Sequence, residues 1–211
     1  MTLNVGGMTI YFAFMLRGII MCKFFKLHLE DYFNHKIIGD ENVIKNISSL
    51  NNIGISGCFF CPDMLPDSLK EIVIDNVPYT FPDKSPEKYD NVACEEQIII
   101  TPVGKYSAAY FLGLCEWGDF KENLKLKFNN CCEEAEVFFY DWWGGLGWFM
   151  FDYNKTNKNC KIALKATILD SSARGIYCYK CNIKCTSKDL HAIELPYNPN
   201  MHIFAITLEQ G

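Results

Sequence analysis

A chain of 211 residues, 49% of them aliphatic or aromatic, can bury one packed core and is no disordered segment. Its formal net charge of −5, with lysines and arginines scattered, offers no basic patch for a phosphate backbone, so nucleic acid is excluded as a partner. The 11 cysteines are odd in number, and some lie in apolar runs such as Phe111-Leu112-Gly113-Leu114-Cys115, where a thiol packs as a small hydrophobe. Reduced thiols in a cytoplasmic protein are therefore expected rather than a disulfide framework.

From the N-terminus, residues 8–22 are apolar but carry Arg17 and Gly18 and fall short of the ~20 residues that span a bilayer. Nothing basic precedes Thr9, and Cys22-Lys23-Phe24-Phe25 is no cleavage site, so neither a membrane helix nor export is expected. Strand-like alternation starts at Lys23. Residues 1–22 read as a leader or poorly packed extension, with Met8, Met15 or Met21 as alternative starts, and residues 23–211 as a single β-sandwich domain.

Apolar residues then alternate or cluster in short runs, without the three-and-four spacing of an amphipathic helix. Strands are expected over residues 23–29, 71–77, 97–101, 106–114, 124–128, 135–140, 161–168, 175–183 and 202–208, bounded by Pro, Gly, Asn or Asp. Leu124-Lys125-Leu126-Lys127-Phe128 has one dry and one wet face. Ile98-Ile99-Ile100 and residues 108–114 are continuously apolar and are expected to be central strands covered on both sides. Pro62, Pro66, Pro78, Pro82, Pro86 and Pro102 mark an extended, loop-rich region. The fold class is all-β, two packed antiparallel sheets in one domain.

Several motifs in order carry a family resemblance: Gly57-Cys58-Phe59-Phe60 with Leu65-Pro66, Val77-Pro78-Tyr79-Thr80-Phe81-Pro82, Asp90-Asn91-Val92-Ala93-Cys94-Glu95-Glu96-Gln97, Tyr110-Phe111-Leu112-Gly113, Asp141-Trp142, and Leu195-Pro196 with His202-Ile203-Phe204-Ala205-Ile206-Thr207-Leu208. Across residues 27–209 the chain resembles galactose-binding-like β-sandwich modules that accompany bacterial and fungal glycoside hydrolases. The resemblance implies a jelly-roll-like sandwich that binds carbohydrate or supports an enzyme, without catalytic residues of its own. The central hairpin departs from the family: Asn129-Asn130-Cys131-Cys132 replaces an Asp-Gly turn, implying a longer or differently shaped connection.

The stretch after that hairpin, Asp141-Trp142-Trp143 opening into Gly144-Gly145-Leu146-Gly147-Trp148, places three tryptophans within seven positions. A sugar needs a flat apolar face for its ring and carboxylates, amides or hydroxyls at its edge. Trp142, Trp143 and Trp148 can stack, and Asp141, Asp152, Tyr153 and Asn154 can meet hydroxyls; Glu116-Trp117-Gly118-Asp119 is a second such loop. At least one of the three tryptophans is expected in the core, because Trp142 and Trp143 alternate at a strand end.

Other chemistries are less well supported. A glycosidase needs two converging carboxylates, for which Glu95 with Glu96, Glu116 with Asp119, and Asp141 are the candidates. Cys58-Phe59-Phe60-Cys61 and Cys178-Tyr179-Lys180-Cys181 have zinc-knuckle spacing, but a strand over residues 177–183 would put Cys178 and Cys181 on opposite faces. Calcium has only the compositional support of Asp83, Asp90 and Asp141. His28, His35, His191 and His202 show no metal-binding spacing, and His202 reads as a satisfied structural residue. The expectation is a non-catalytic carbohydrate-binding module; the alternative is a structural or interaction sandwich that self-associates or supports a glycoside hydrolase.

Overall fold

A computed structural model describes residues 4–5, 8–9, 24–55, 57–143, 157–168 and 173–211. Fourteen strands form within them: β1 (Asn4–Val5), β2 (Met8–Thr9), β3 (Phe24–Lys26), β4 (Glu71–Ile74), β5 (Val77–Thr80), β6 (Val92–Glu95), β7 (Ile98–Gly104), β8 (Tyr106–Cys115), β9 (Phe120–Phe128), β10 (Cys131–Phe139), β11 (Cys160–Thr167), β12 (Ala173–Asn182), β13 (Leu190–Glu194) and β14 (Tyr197–Gln210). One sheet runs β11-β12-β8-β14-β3, with β6 also on β14; the other runs β10-β9-β13-β7. Every strand pairing is antiparallel, and among the described residues β1 and β2 pair only with each other. The core lies between these sheets, with Phe111, Leu112, Leu124, Leu126, Val137, Phe139, Ile193 and Ile206 fully buried.

The hairpin β9–β10 shows why this chain makes sheets. Leu124, Leu126, Phe128, Ala135, Val137 and Phe139 point inward at every second position, while Lys125, Glu134 and Glu136 face solvent. Both strands begin earlier than their apolar residues suggest, at Phe120 and Cys131, because the Lys/Glu alternation extends a solvated face. Phe128 pairs directly with Cys131, so Asn129-Asn130 is a tight two-residue turn and not a longer one.

Two expectations need correction. Residues 71–77 are not one strand: Asp75 and Asn76 both take left-handed backbone (φ 49° and 65°), and the chain reverses from Ile74 into Val77. Asp and Asn are the residues after glycine that best tolerate that region, and two in succession give the hairpin turn that matches strand twist. Nor is the isoleucine run of β7 covered on both sides. It is the edge of its sheet, with Ile100 64% exposed and Ile98 and Val103 exposed beside it. Continuous apolarity misled because an edge strand can keep one face open while Ile99 and Thr101 fill the core. The edge is protected otherwise: Tyr32 Oη accepts the Ile100 N–H at 3.1 Å, and Pro102 removes a donor.

The long apolar strand β8 is central, as expected, between β12 and β14. Gly113 lies in it where a Cβ would strike the His202 carbonyl and approach the Phe139 ring at 2.7 Å. Gly113→Ala is expected to lower stability by about 2–3 kcal/mol, since neither backbone nor a packed ring can yield. A urea titration with an unchanged midpoint would refute this close approach.

Candidate binding loops and a buried histidine pair

The two aromatic loops proposed from sequence meet at one end of the sandwich. β8 stops at Cys115 and β10 at Phe139, and the chain segments beyond them lie side by side: Cys115 N donates to Tyr140 O at 3.0 Å and Trp142 N to Cys115 O at 2.7 Å. Asp141 ties the loops together. Its Oδ2 accepts the Gly118 N–H at 2.6 Å, its Oδ1 accepts the Trp143 N–H at 2.8 Å, and its own N–H donates to Asp119 Oδ1 at 2.8 Å.

The tryptophans divide. Trp142 is buried edge-on against Phe60, with ring centroids 5.6 Å apart. Trp143 is 45% exposed, its inner face covered by the Arg174 guanidinium 3.2 Å from the ring centroid. Trp117 is 74% exposed and holds φ 65°, a left-handed conformation that costs a bulky residue on the order of 1 kcal/mol. Trp148, Asp152 and Tyr153 lie outside the described residues. Burial raises the pKa of both Glu116 and Asp119, with Asp141 adding repulsion at Asp119.

Behind Glu116 lies a buried polar chain. Asp90 is fully buried against Lys36, Nζ to Oδ2 3.0 Å, and also accepts the Ile37 and Ile38 N–H groups at 3.0 and 2.9 Å. The Lys36 ammonium donates further to the Ser85 carbonyl at 2.9 Å. Asn91 Nδ2 donates to Asp90 Oδ1 at 2.9 Å and to the His35 carbonyl at 3.2 Å, which leaves Asn91 Oδ1 facing His202 Nδ1 at 2.9 Å. The rings of His35 and His202 are 4.6 Å apart, and His202 Nε2 looks toward Glu116 Oε1 at 3.5 Å. His202 is thus satisfied at one ring nitrogen only; its Nε2 makes no hydrogen bond, the glutamate being at the limit of distance.

This chain was poorly visible in the sequence. Asp90 read as a calcium candidate, whereas it is occupied by an ammonium and two backbone donors. Asp83 is likewise engaged, by Lys88 at 2.8 Å and by Ser85. The available signal was Lys36 standing directly before Ile37-Ile38, where a charge drawn into the core with them requires a buried partner. Glu95 and Glu96 are both exposed, and Glu96 is not extended, at φ 62°. Cys178 and Cys181 pair with Leu112 and Ala109 in the regular ladder of β12 with β8. No group of three or more His, Cys, Asp or Glu side chains among the described residues is placed to hold a metal.

An extended antiparallel sandwich with these sheets is matched over residues 25–211 by the family model for the AziU2-like beta-sandwich domain. The chain belongs to that family. The match covers all the strands from β4 onward and both loops, so the AziU2-like domain contains the whole candidate site. No curated protein matches the chain.

Proposed function

We propose that this AziU2-like domain is a non-catalytic carbohydrate-binding module of galactose-binding-like kind, with its ligand held at the joined loops 116–119 and 141–143. The observation that carries the reading is Trp117: a large apolar ring kept in solvent on strained backbone, on a loop fixed by Asp141 to the loop that bears the half-exposed Trp143. Exposed indoles on fixed loops suit the C–H face of a sugar ring, and Glu116 and Asp119 supply edge groups for hydroxyls. Trp148, Asp152 and Tyr153 join the proposed site on the strength of the sequence alone. Asp141 contributes by holding the loops, and Trp142 by anchoring them in the core.

The test is a glycan array with reduced protein. Trp117→Ala and Trp143→Ala are each expected to weaken a specific hit at least about tenfold, roughly 1.4 kcal/mol. Trp117→Ala should leave the melting temperature unchanged, because the side chain packs little. Full binding by both variants would remove the ligand from these loops.

The second reading is an interaction sandwich that self-associates or supports a partner such as a glycoside hydrolase. The exposed Ile98, Ile100 and Val103 on β7 favour it. A blank array together with a concentration-dependent dimer in sedimentation would favour this reading over the first.

A further inference from the structure

Hydrogen-bond direction in the buried chain is fixed by groups that cannot donate. Asp90 and the His35 carbonyl are acceptors, so the Asn91 amide nitrogen faces them and its oxygen faces His202. His202 Nδ1 must then carry a hydrogen. His35 donates from Nε2 to the Gly54 carbonyl at 3.3 Å, which leaves its Nδ1 as an acceptor for Asn91. That pattern leaves His35 neutral, and complete burial lowers the His202 pKa and keeps its ring neutral too, so the Nε2 lone pair of His202 is buried without a hydrogen bond, 3.5 Å from Glu116 Oε1. A lone pair facing an ionised carboxylate is repulsive, and it leaves the buried Nε2 without a donor.

We propose that Glu116 and His202 share one proton, held on the Glu116 carboxyl and directed at His202 Nε2, so that the ligand loop presents a neutral acid at neutral pH. His202 is a positioning residue: it orients the acid group and leaves Glu116 Oε2 as an uncharged acceptor. The ligand class that fits is a neutral polyhydroxyl compound, whose hydroxyls donate to such an oxygen without requiring a counter-ion. This consequence for ligands rests on the carbohydrate reading; the shared proton does not.

The surroundings of the pair agree. His35 packs on His202 from the segment before Lys36, and the charges of Lys36 and Asp90, beyond Asn91, are paired with each other. Asp119 and Asp141 follow on the same joined loops and are bonded to each other, Asp141 N–H to Asp119 Oδ1 at 2.8 Å. Burial raises the pKa of Glu116, the direction the sharing requires; His35 works against it.

The test is NMR of the whole protein, following the Glu116 side-chain carboxyl carbon and the His202 ring nitrogens against pH. The expected result is a Glu116 midpoint above those of the other glutamates, with His202 showing one protonated nitrogen, Nδ1, at neutral pH. Glu116→Gln mimics the protonated acid and should keep the His202 nitrogen shifts of the parent; His202→Phe should return the Glu116 midpoint toward the others. A Glu116 midpoint among the other glutamates, or a doubly protonated His202 ring near pH 7, would overturn the proposal. A raised midpoint combined with a blank glycan array would leave the shared proton standing and defeat the ligand reading alone.

Discussion

Asp90→Ala is expected to cost at least about 3–5 kcal/mol and to leave little folded protein at room temperature. The substitution strands the Lys36 ammonium, which has no exposed surface, and removes the acceptor for the Ile37 and Ile38 N–H groups. Lys36→Met should be milder, because Asp90 would retain two backbone donors and the Asn91 amide. The pair Lys36→Met with Asp90→Asn should recover part of the loss, since exchanging both members of a buried ion pair is often near neutral. Equilibrium urea unfolding of the parent, Lys36→Met, Asp90→Asn and the double variant closes a double-mutant cycle. Additive effects would show that the two charges do not depend on each other.

Acid should weaken the protein through the same region. Folded His35 titrates at about 4, lowered first by burial and then by repulsion from His202, and folded His202 at about 3 because it is wholly buried. Both lie below the ~6.5 of an unfolded chain, so the unfolded state takes up these protons first. The stability they confer is complete above about pH 6.5 and is lost as pH falls toward 4 and then 3. At ~1.4 kcal/mol per pH unit, the loss approaches roughly 3 kcal/mol for His35 and more for His202. The variant His35→Gln with His202→Gln cannot take up these protons. It should lose less stability than the parent between pH 7 and pH 4, whatever its stability at pH 7. Parallel curves for the two proteins would rule out the histidines as the cause.

The fold was legible where burial is one-sided. Over Leu124–Phe128 in β9 and Ala135–Phe139 in β10 every second residue is apolar, and the structure buries each of them. It was less legible where polar residues are buried or apolar ones are not. β6 has three buried residues, Val92, Ala93 and Cys94, but begins just after Asp90-Asn91, which look like a turn and serve instead as buried hydrogen-bonding groups. β13 alternates only weakly over five residues and takes its place between β9 and β7 from tertiary pairing. The meeting of the loops at Glu116 and Asp141 could not be read at all, because it depends on a bridge between the ends of two strands in different sheets. His202 and Glu116 are 3.5 Å apart for the same reason: strand order, not sequence spacing, brings them together.

Strand β14 also governs the order in which the molecule can assemble. It pairs with β8, β6 and β3, joining Leu208 to Phe25 and Ile203 to Val92 across most of the chain. During synthesis from the N-terminus those three strands wait, with apolar faces and open edges, until residues 197–210 have left the ribosome. Local hairpins such as β9–β10 can form meanwhile, but the larger sheet closes only by long-range pairing. Folding should therefore be slow for a chain of this size, and vulnerable to misassembly until the final strand arrives.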